Sequence, residues 1–201
     1  METPEPRWLT DDETRAWLVL AGMLVRLPAE LDAQLQRDAG LSHFEYQVLA
    51  GLSEAPGRTL RMSELALFAN GSLSRLSHVA RRLEDRGWLR RGPDQDNGRF
   101  TVATLTEAGW AKVAGSAPGH VAAVRRLVFD PLTQTQVRQL REIGSRLLAA
   151  TGDAGRPLSQ RLGGRAGSLP PRPQPGETGG RVRREAPDAA EAEAGLTPGR
   201  T

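Results

Sequence analysis

The chain has 201 residues, enough for one domain with a hydrophobic core plus a spare segment and too few for two large domains. It has no cysteine, which excludes disulfides, thiolate metal sites and cysteine nucleophiles, and its histidines (His43, His78 and His120) lie far apart without metal-ligand spacing, so no metal or cofactor is expected. The net charge of +3 is too small to identify a partner by itself, so the distribution of charge has to be read.

Apolar residues make up 38% of the chain and aromatics 4%, which suits a helical protein with a core of Leu, Val and Ala. There is no apolar run of about twenty residues, the length a membrane span needs. The start METPEPRWLTDDE has no basic-then-apolar leader, so a cytoplasmic protein with no membrane contact is expected.

Residues 1–9 read as a flexible N-terminus. Thr10 with Glu13 forms a capping box that opens a helix, along which Trp17, Leu20, Leu24, Leu27, Leu31 and Leu35 follow at helical spacing. Pro28 is expected to kink or break it. Ser42 and Glu45 form a second capping box, with Phe44, Val48, Leu49 and Leu52 on one face, until Ala55-Pro56-Gly57 stops the helix. A short helix fits Ser63 to Ala69, with Leu65, Ala66 and Phe68 inward, and Asn70-Gly71 is a turn signal. A longer helix runs from Ser72 to Arg86 with Leu73, Leu76, Val79, Ala80 and Leu83 apolar, and Gly87 ends it as a left-handed cap.

Trp88 to Arg91 then reads as a strand, Pro93 to Arg99 as turn chemistry centred on Asn97-Gly98, and Phe100 to Leu105 as a returning strand. Helix resumes at Thr106-Glu107 and is expected to be interrupted at Ala117-Pro118-Gly119. Thr133 with Gln136 opens the last helix, striped by Val137, Leu140, Ile143, Leu147 and Leu148. Residues 151–201 are rich in Gly, Pro, Arg and Ala without hydrophobic period and read as disordered. Two readings of this tail stay open: an inert segment, or one whose arginines add non-specific DNA affinity.

Two short helices joined by an Asn-Gly turn and followed by a β-hairpin are the parts of a winged helix-turn-helix. The fold class expected is therefore mainly α with a small β-hairpin wing. Between Pro56 and Leu105 nine arginines face five acids, an excess larger than the net charge of the whole chain. With its apolar stripe removed, the helix from Ser72 presents Ser72, Ser74, Arg75, Ser77, His78, Arg81 and Arg82. Most of these lie toward its N-terminus, where free N–H groups and the helix dipole favour phosphate. Short hydroxyls permit close approach to a groove, and Arg75 and His78 are long enough to reach base edges. The alternative is a merely solvated polar face, with Ser72 acting only as a cap. Arg99, beside the hairpin tip, is placed to enter a narrow minor groove.

The segments LSHFEYQVLAGLSEAPGRTLRMSELA, GSLSRLSHVARRLEDRGWLRR and LTEAGWAKV resemble the MarR family (multiple antibiotic resistance regulators), and FDPLTQTQVRQLREIGSRLLAA resembles the closing helix of its actinobacterial members. The resemblance covers Thr10 to Ala150. It implies a homodimer whose recognition helix is Leu73 to Arg86 and whose wing arginine is Arg99. The DNA-binding lobe would span 42–105, and dimerisation helices would span 10–39 and 106–150. The family's wing Asp-x-Arg falls here on Asn97-Gly98-Arg99, so a bracing aspartate is missing, and Asp94 and Asp96 are the substitutes at hand.

Leu20, Leu24, Leu27, Leu127, Leu140, Ile143 and Leu147 exceed what so small a lobe can cover, so a two-fold homodimer on double-stranded, pseudo-palindromic DNA is expected. The resemblance implies a transcriptional regulator, read here as a repressor with activation left open. By resemblance, Trp17, His43 and Tyr46 would line a site for a small aromatic effector; the other reading is ordinary packing near the core. No GxSxG, P-loop, GxGxxG or HExxH motif occurs, so an enzyme is not expected. The competing class is a helical dimeric interaction protein of the same fold without specific DNA binding.

Overall fold

The computed structural model describes residues 5–95 and 97–151; Asp96, the first four residues and the tail beyond Thr151 lie outside the described residues. Six helices and three strands follow one another: α1 (Asp11–Ala39), α2 (His43–Glu54), β1 (Thr59–Arg61), α3 (Met62–Phe68), α4 (Leu73–Asp85), β2 (Leu89–Pro93), β3 (Thr101–Leu105), α5 (Glu107–Val124) and α6 (Gln134–Ala150). This is the winged helix-turn-helix that the pattern implied. Among the described residues no helix is long and apolar enough to cross a membrane.

Side chains at the helix starts set the boundaries. Reciprocal capping boxes join Thr10 with Glu13, Ser42 with Glu45 and Thr133 with Gln136, each satisfying N–H groups that a helix start leaves free. The α4 helix closes on Gly87, whose φ of 72° lets its own N–H reach the Glu84 carbonyl and that of Trp88 reach Leu83.

Neither helical proline breaks its helix. The α1 helix is continuous through Pro28 and α5 through Pro118. Both prolines lie at exposed positions, away from the core. After α5 the chain widens into a π-helical turn, Arg125–Phe129, before Asp130 ends it.

The wing hairpin lies close to where the sequence puts it. β2 and β3 pair antiparallel from Leu89↔Leu105 out to Pro93↔Thr101, so the loop runs from Asp94 to Phe100, one residue on from the expected Pro93–Arg99. The Asp94 N–H to Phe100 carbonyl bond of 2.9 Å closes it. A third strand, β1, unforeseen from sequence, pairs with β3 and puts β3 in the centre of the sheet. Ala103 and Leu105 face inward from β3 while Val102 and Thr104 lie on the other face.

The core is built by Leu35, Leu41, Val48, Leu49, Leu52, Leu65, Leu76, Leu83, Leu89 and Val113, all essentially inaccessible. It lies under α2, α3, α4 and the sheet, and takes only the C-terminal end of α1 and Val113 of α5. Burying a side chain of this size contributes about 1.5–3 kcal/mol, so this lobe holds most of the apolar stabilisation in the chain. The N-terminal half of α1 and all of α6 bury nothing against it.

Candidate nucleic-acid interface

The α4 helix turns Leu76, Val79, Ala80 and Leu83 into the core, and Ser74, Arg75, His78 and Arg81 outward. Two residues differ from the sequence reading. Leu73, assigned to the apolar stripe, is 53% exposed. Ser77 is half-buried and its hydroxyl donates to the Leu73 carbonyl at 2.8 Å, so it is occupied by its own helix. Ser72 is the N-cap: its Oγ accepts the Arg75 N–H at 3.2 Å.

Two arginines of α4, at positions 75 and 82, and its C-cap Arg86 lie along the flank that meets the start of α2. Arg82 reaches the Glu45 carboxylate at 3.2 Å and Arg86 approaches it at 4.0 Å. Glu45 is itself 4% exposed and also accepts the Ser42 N–H. Arg82 is therefore partly committed to holding α4 on α2, a role that the wheel of α4 alone did not disclose. Arg75 is held differently, with its guanidinium carbon 4.2 Å from the centre of the Phe44 ring.

The wing is braced at its base. Arg61 Nε donates to Asp94 Oδ2 at 2.7 Å, and its guanidinium lies 4.5 Å from the centre of the Phe100 ring. Asp94 is thus paired at the base of the loop and not at its tip, while Asp96 lies outside the described residues. Asn97, Gly98 and Arg99 at the tip are exposed, and the Asn97 side-chain oxygen accepts the Arg99 N–H at 3.2 Å. On the core side of the wing, Glu84 accepts the Arg91 backbone N–H at 2.8 Å and the Arg91 guanidinium Nε at 2.9 Å. These bonds hold the Glu84 carboxyl below its ordinary range. Arg58 pairs with Glu107 at 2.7 Å and stacks over Trp110, tying the sheet to the start of α5.

A second polar group lies where α1, α2 and α5 converge. The Tyr46 and His120 rings are 4.5 Å apart, and those of His43 and His120 5.8 Å apart. Asp32 of α1 accepts the His43 N–H at 2.7 Å. Tyr46 Oη, His120 Nδ1 and Gln34 Oε1 are buried without a hydrogen-bond partner among the described residues. Burial pushes His120 down to about 4, helped by the neighbouring His43, and pushes His43 down as well, against the pull of Asp32. Burial and the Glu54 charge push Tyr46 up to about 12. The sequence had named His43 and Tyr46 but not His120 or Gln34, which carry no local signal. Trp17 is not part of this group; it stands 53% exposed in the N-terminal half of α1 and has no ring contact among the described residues.

Comparison with known proteins agrees with this architecture. The sequence model of the MarR family matches residues 41–101. The HTH-type transcriptional repressor Rv2887 of Mycobacterium tuberculosis is 34% identical over 139 residues, 69% of this chain and 96% of that protein. Sco3205, a MarR family transcriptional regulator from Streptomyces coelicolor whose crystal structure is in complex with DNA, is 44% identical, with a TM-score of 0.70 over 80% of this chain and 98% of that one. AbsC, another from Streptomyces coelicolor, is 37% identical with a TM-score of 0.64, covering 71% of this chain and 98% of its own. The chain therefore belongs to the MarR family: it is a DNA-binding transcriptional regulator with a winged helix-turn-helix, and not an enzyme.

Proposed function

We propose that the protein is a repressor that binds a pseudo-palindromic operator as a two-fold homodimer, with α4 in the major groove and the wing tip in the adjacent minor groove. The observation that carries this reading is the outward face of α4. From Ser72 to Arg82 it holds Ser74, Arg75, His78 and Arg81 and no carboxylate, while the opposite face is core. The free N–H groups at its start take a phosphate, and Arg75 and His78 take base edges. Arg99, exposed at the end of a polar loop, reaches the minor groove.

The dimer follows from the helices that the lobe leaves uncovered. In α1, Trp17, Leu18, Val19, Met23, Leu24 and Val25 are 44–75% exposed, and from Ala16 to Val25 no polar side chain interrupts them. A helix apolar around its whole circumference belongs inside an assembly. Leu140, Ile143, Leu147 and Leu148 give α6 a matching stripe. Pairing these helices across a two-fold axis covers both and sets the recognition helices about 34 Å apart, one turn of DNA.

A small aromatic effector is assigned to the junction of α1, α2 and α5, beside His43, Tyr46 and His120, where three buried polar atoms lack partners among the described residues. Its leverage is the first turn of α2. His43 and Tyr46 contact His120 of α5, while Phe44 and Glu45 hold Arg75 and Arg82 of α4 and its C-cap Arg86. A ligand that shifts this turn shifts α4 on the DNA.

Anisotropy titrations on a duplex from upstream of the protein's own gene, across a salt series, test the reading. Arg99→Ala weakens binding by about 1–3 kcal/mol, and Arg75→Ala also relaxes base preference. If both variants bind like the parent at every salt concentration, the DNA face is misplaced.

A further inference from the structure

The flank of α4 that meets α2 treats its arginines in two ways. Arg82 and Arg86 share one carboxylate, Glu45, at 3.2 and 4.0 Å, which draws them toward α2 and offsets part of their charge. Arg75 meets the face of Phe44 at 4.2 Å and has no acidic partner among the described residues. A guanidinium lying on an aromatic face is attracted by the ring quadrupole, yet all its N–H donors, which lie in its own plane, stay available. Such a side chain keeps its charge and gives up part of its rotamer freedom before any DNA arrives. Bidentate recognition of a guanine edge needs that state, because both hydrogen bonds depend on the orientation of a planar group.

The turn between α3 and α4 independently points to the same ring. Asn70, not Gly71, takes the left-handed conformation there, with φ of 49°. Gly71 has no such backbone requirement, but a Cβ at that position would lie 2.6 Å from the Phe44 ring. The glycine is there for room. Phe44 is 6% exposed, so its ring fills the gap beside the turn and lies under the Arg75 side chain.

We propose that Phe44 is a positioning residue for operator specificity: its ring sets the pose in which Arg75 reads a base pair, and Gly71 is needed to admit the ring. This rests on the reading that Arg75 meets base edges. Phe44 itself does not touch DNA.

The test is a double-mutant cycle on affinity for a duplex selected from a random-sequence pool with the parent protein, measured against a scrambled duplex. Phe44→Leu keeps most of the apolar volume and removes the aromatic face. The ratio of selected to scrambled affinity should fall about tenfold, the scale of one good base contact, with scrambled-duplex affinity and salt slope unchanged. In an Arg75→Ala background the same substitution should cost nothing further. Gly71→Ala, which leaves the Phe44 chemistry intact and displaces its ring, should reproduce the loss, with far-UV circular dichroism confirming that each variant is folded. An unchanged ratio in Phe44→Leu, or losses that multiply in the double variant, would overturn the proposal. If Arg75→Ala alone leaves the ratio intact, the base-reading role of Arg75 fails instead, and the proposal falls with its premise.

Discussion

Replacing Gly109 by alanine should destabilise the protein although it improves a helix. Gly109 is buried in the first turn of α5, and a Cβ there would lie 1.9 Å from the Trp88 carbonyl oxygen and 2.8 Å from a Leu105 methyl. In an open helix the exchange gains about 1 kcal/mol. Here the methyl meets backbone, which cannot rotate aside. The start of α5 and the Gly87–Trp88 segment must separate. That stretches the Thr106 N–H bond to the Trp88 carbonyl at 3.1 Å and the Thr106 hydroxyl bond to the Gly87 carbonyl at 2.7 Å. Overpacking costs about 1–3 kcal/mol and each lost bond about 0.5–1.5, so the net loss after the helical gain is about 1–5 kcal/mol. Urea denaturation followed by circular dichroism should show a midpoint lower by about 0.5–2.5 M at an unchanged slope. Gly115→Ala in the same helix is the control, since nothing lies within 4 Å of its Cβ, and it should be neutral or stabilising. If Gly109→Ala matches the parent or exceeds it, the close contact between α5 and the wing does not constrain the fold.

His120 makes stability depend on pH. Its folded value of about 4 lies below the ordinary 6.5, so unfolding takes up a proton between those limits and stability falls as pH drops through that window. The slope for one such group is at most about 1.4 kcal/mol per pH unit, and His120→Gln should flatten the urea midpoint between pH 6.5 and 4.5. Glu45→Gln removes the carboxylate from Arg82 and Arg86 while keeping an acceptor for the Ser42 cap. It should lower stability by about 1–3 kcal/mol in the same assay, and no change would mean that the ion pairs hold nothing. Leu24→Asp combined with Ile143→Asp places charges on exposed apolar faces, 59% and 56% accessible, that the lobe does not use. Sedimentation should then show monomers with a native helical spectrum, and persistence of the dimer would move the interface elsewhere.

What was legible in the sequence was local. Capping boxes at Thr10, Ser42 and Thr133 and the glycine cap at position 87 depend on residues within a few positions of each other, and all four are formed. Contacts across the fold were not legible. The three-residue strand β1 exists only because β3, more than forty positions later, supplies its partner. The Phe44 ring under Arg75 and the His120 ring beside Tyr46 come from separate helices with no pattern linking them. Pro28 and Pro118 misled because each helix continues past its proline despite the lost hydrogen bond, which the local sequence does not disclose.

The wing shows how a missing residue relocates a function. A bracing aspartate two positions before Arg99 would restrain the tip; Asn97 there accepts only the Arg99 backbone N–H, while the charged brace of Arg61 on Asp94 stands at the base of the loop. That pair and the stacking of Arg61 on Phe100 fix where the loop leaves and re-enters the sheet, and Arg99 stands exposed at its end. An exposed arginine loses side-chain freedom when it enters a groove, a cost that the Phe44 ring lowers for Arg75. On the DNA-binding reading proposed above, the two arginines would therefore divide the work: Arg75, pre-oriented, would discriminate sequence, and Arg99 would contribute affinity that follows groove width and salt.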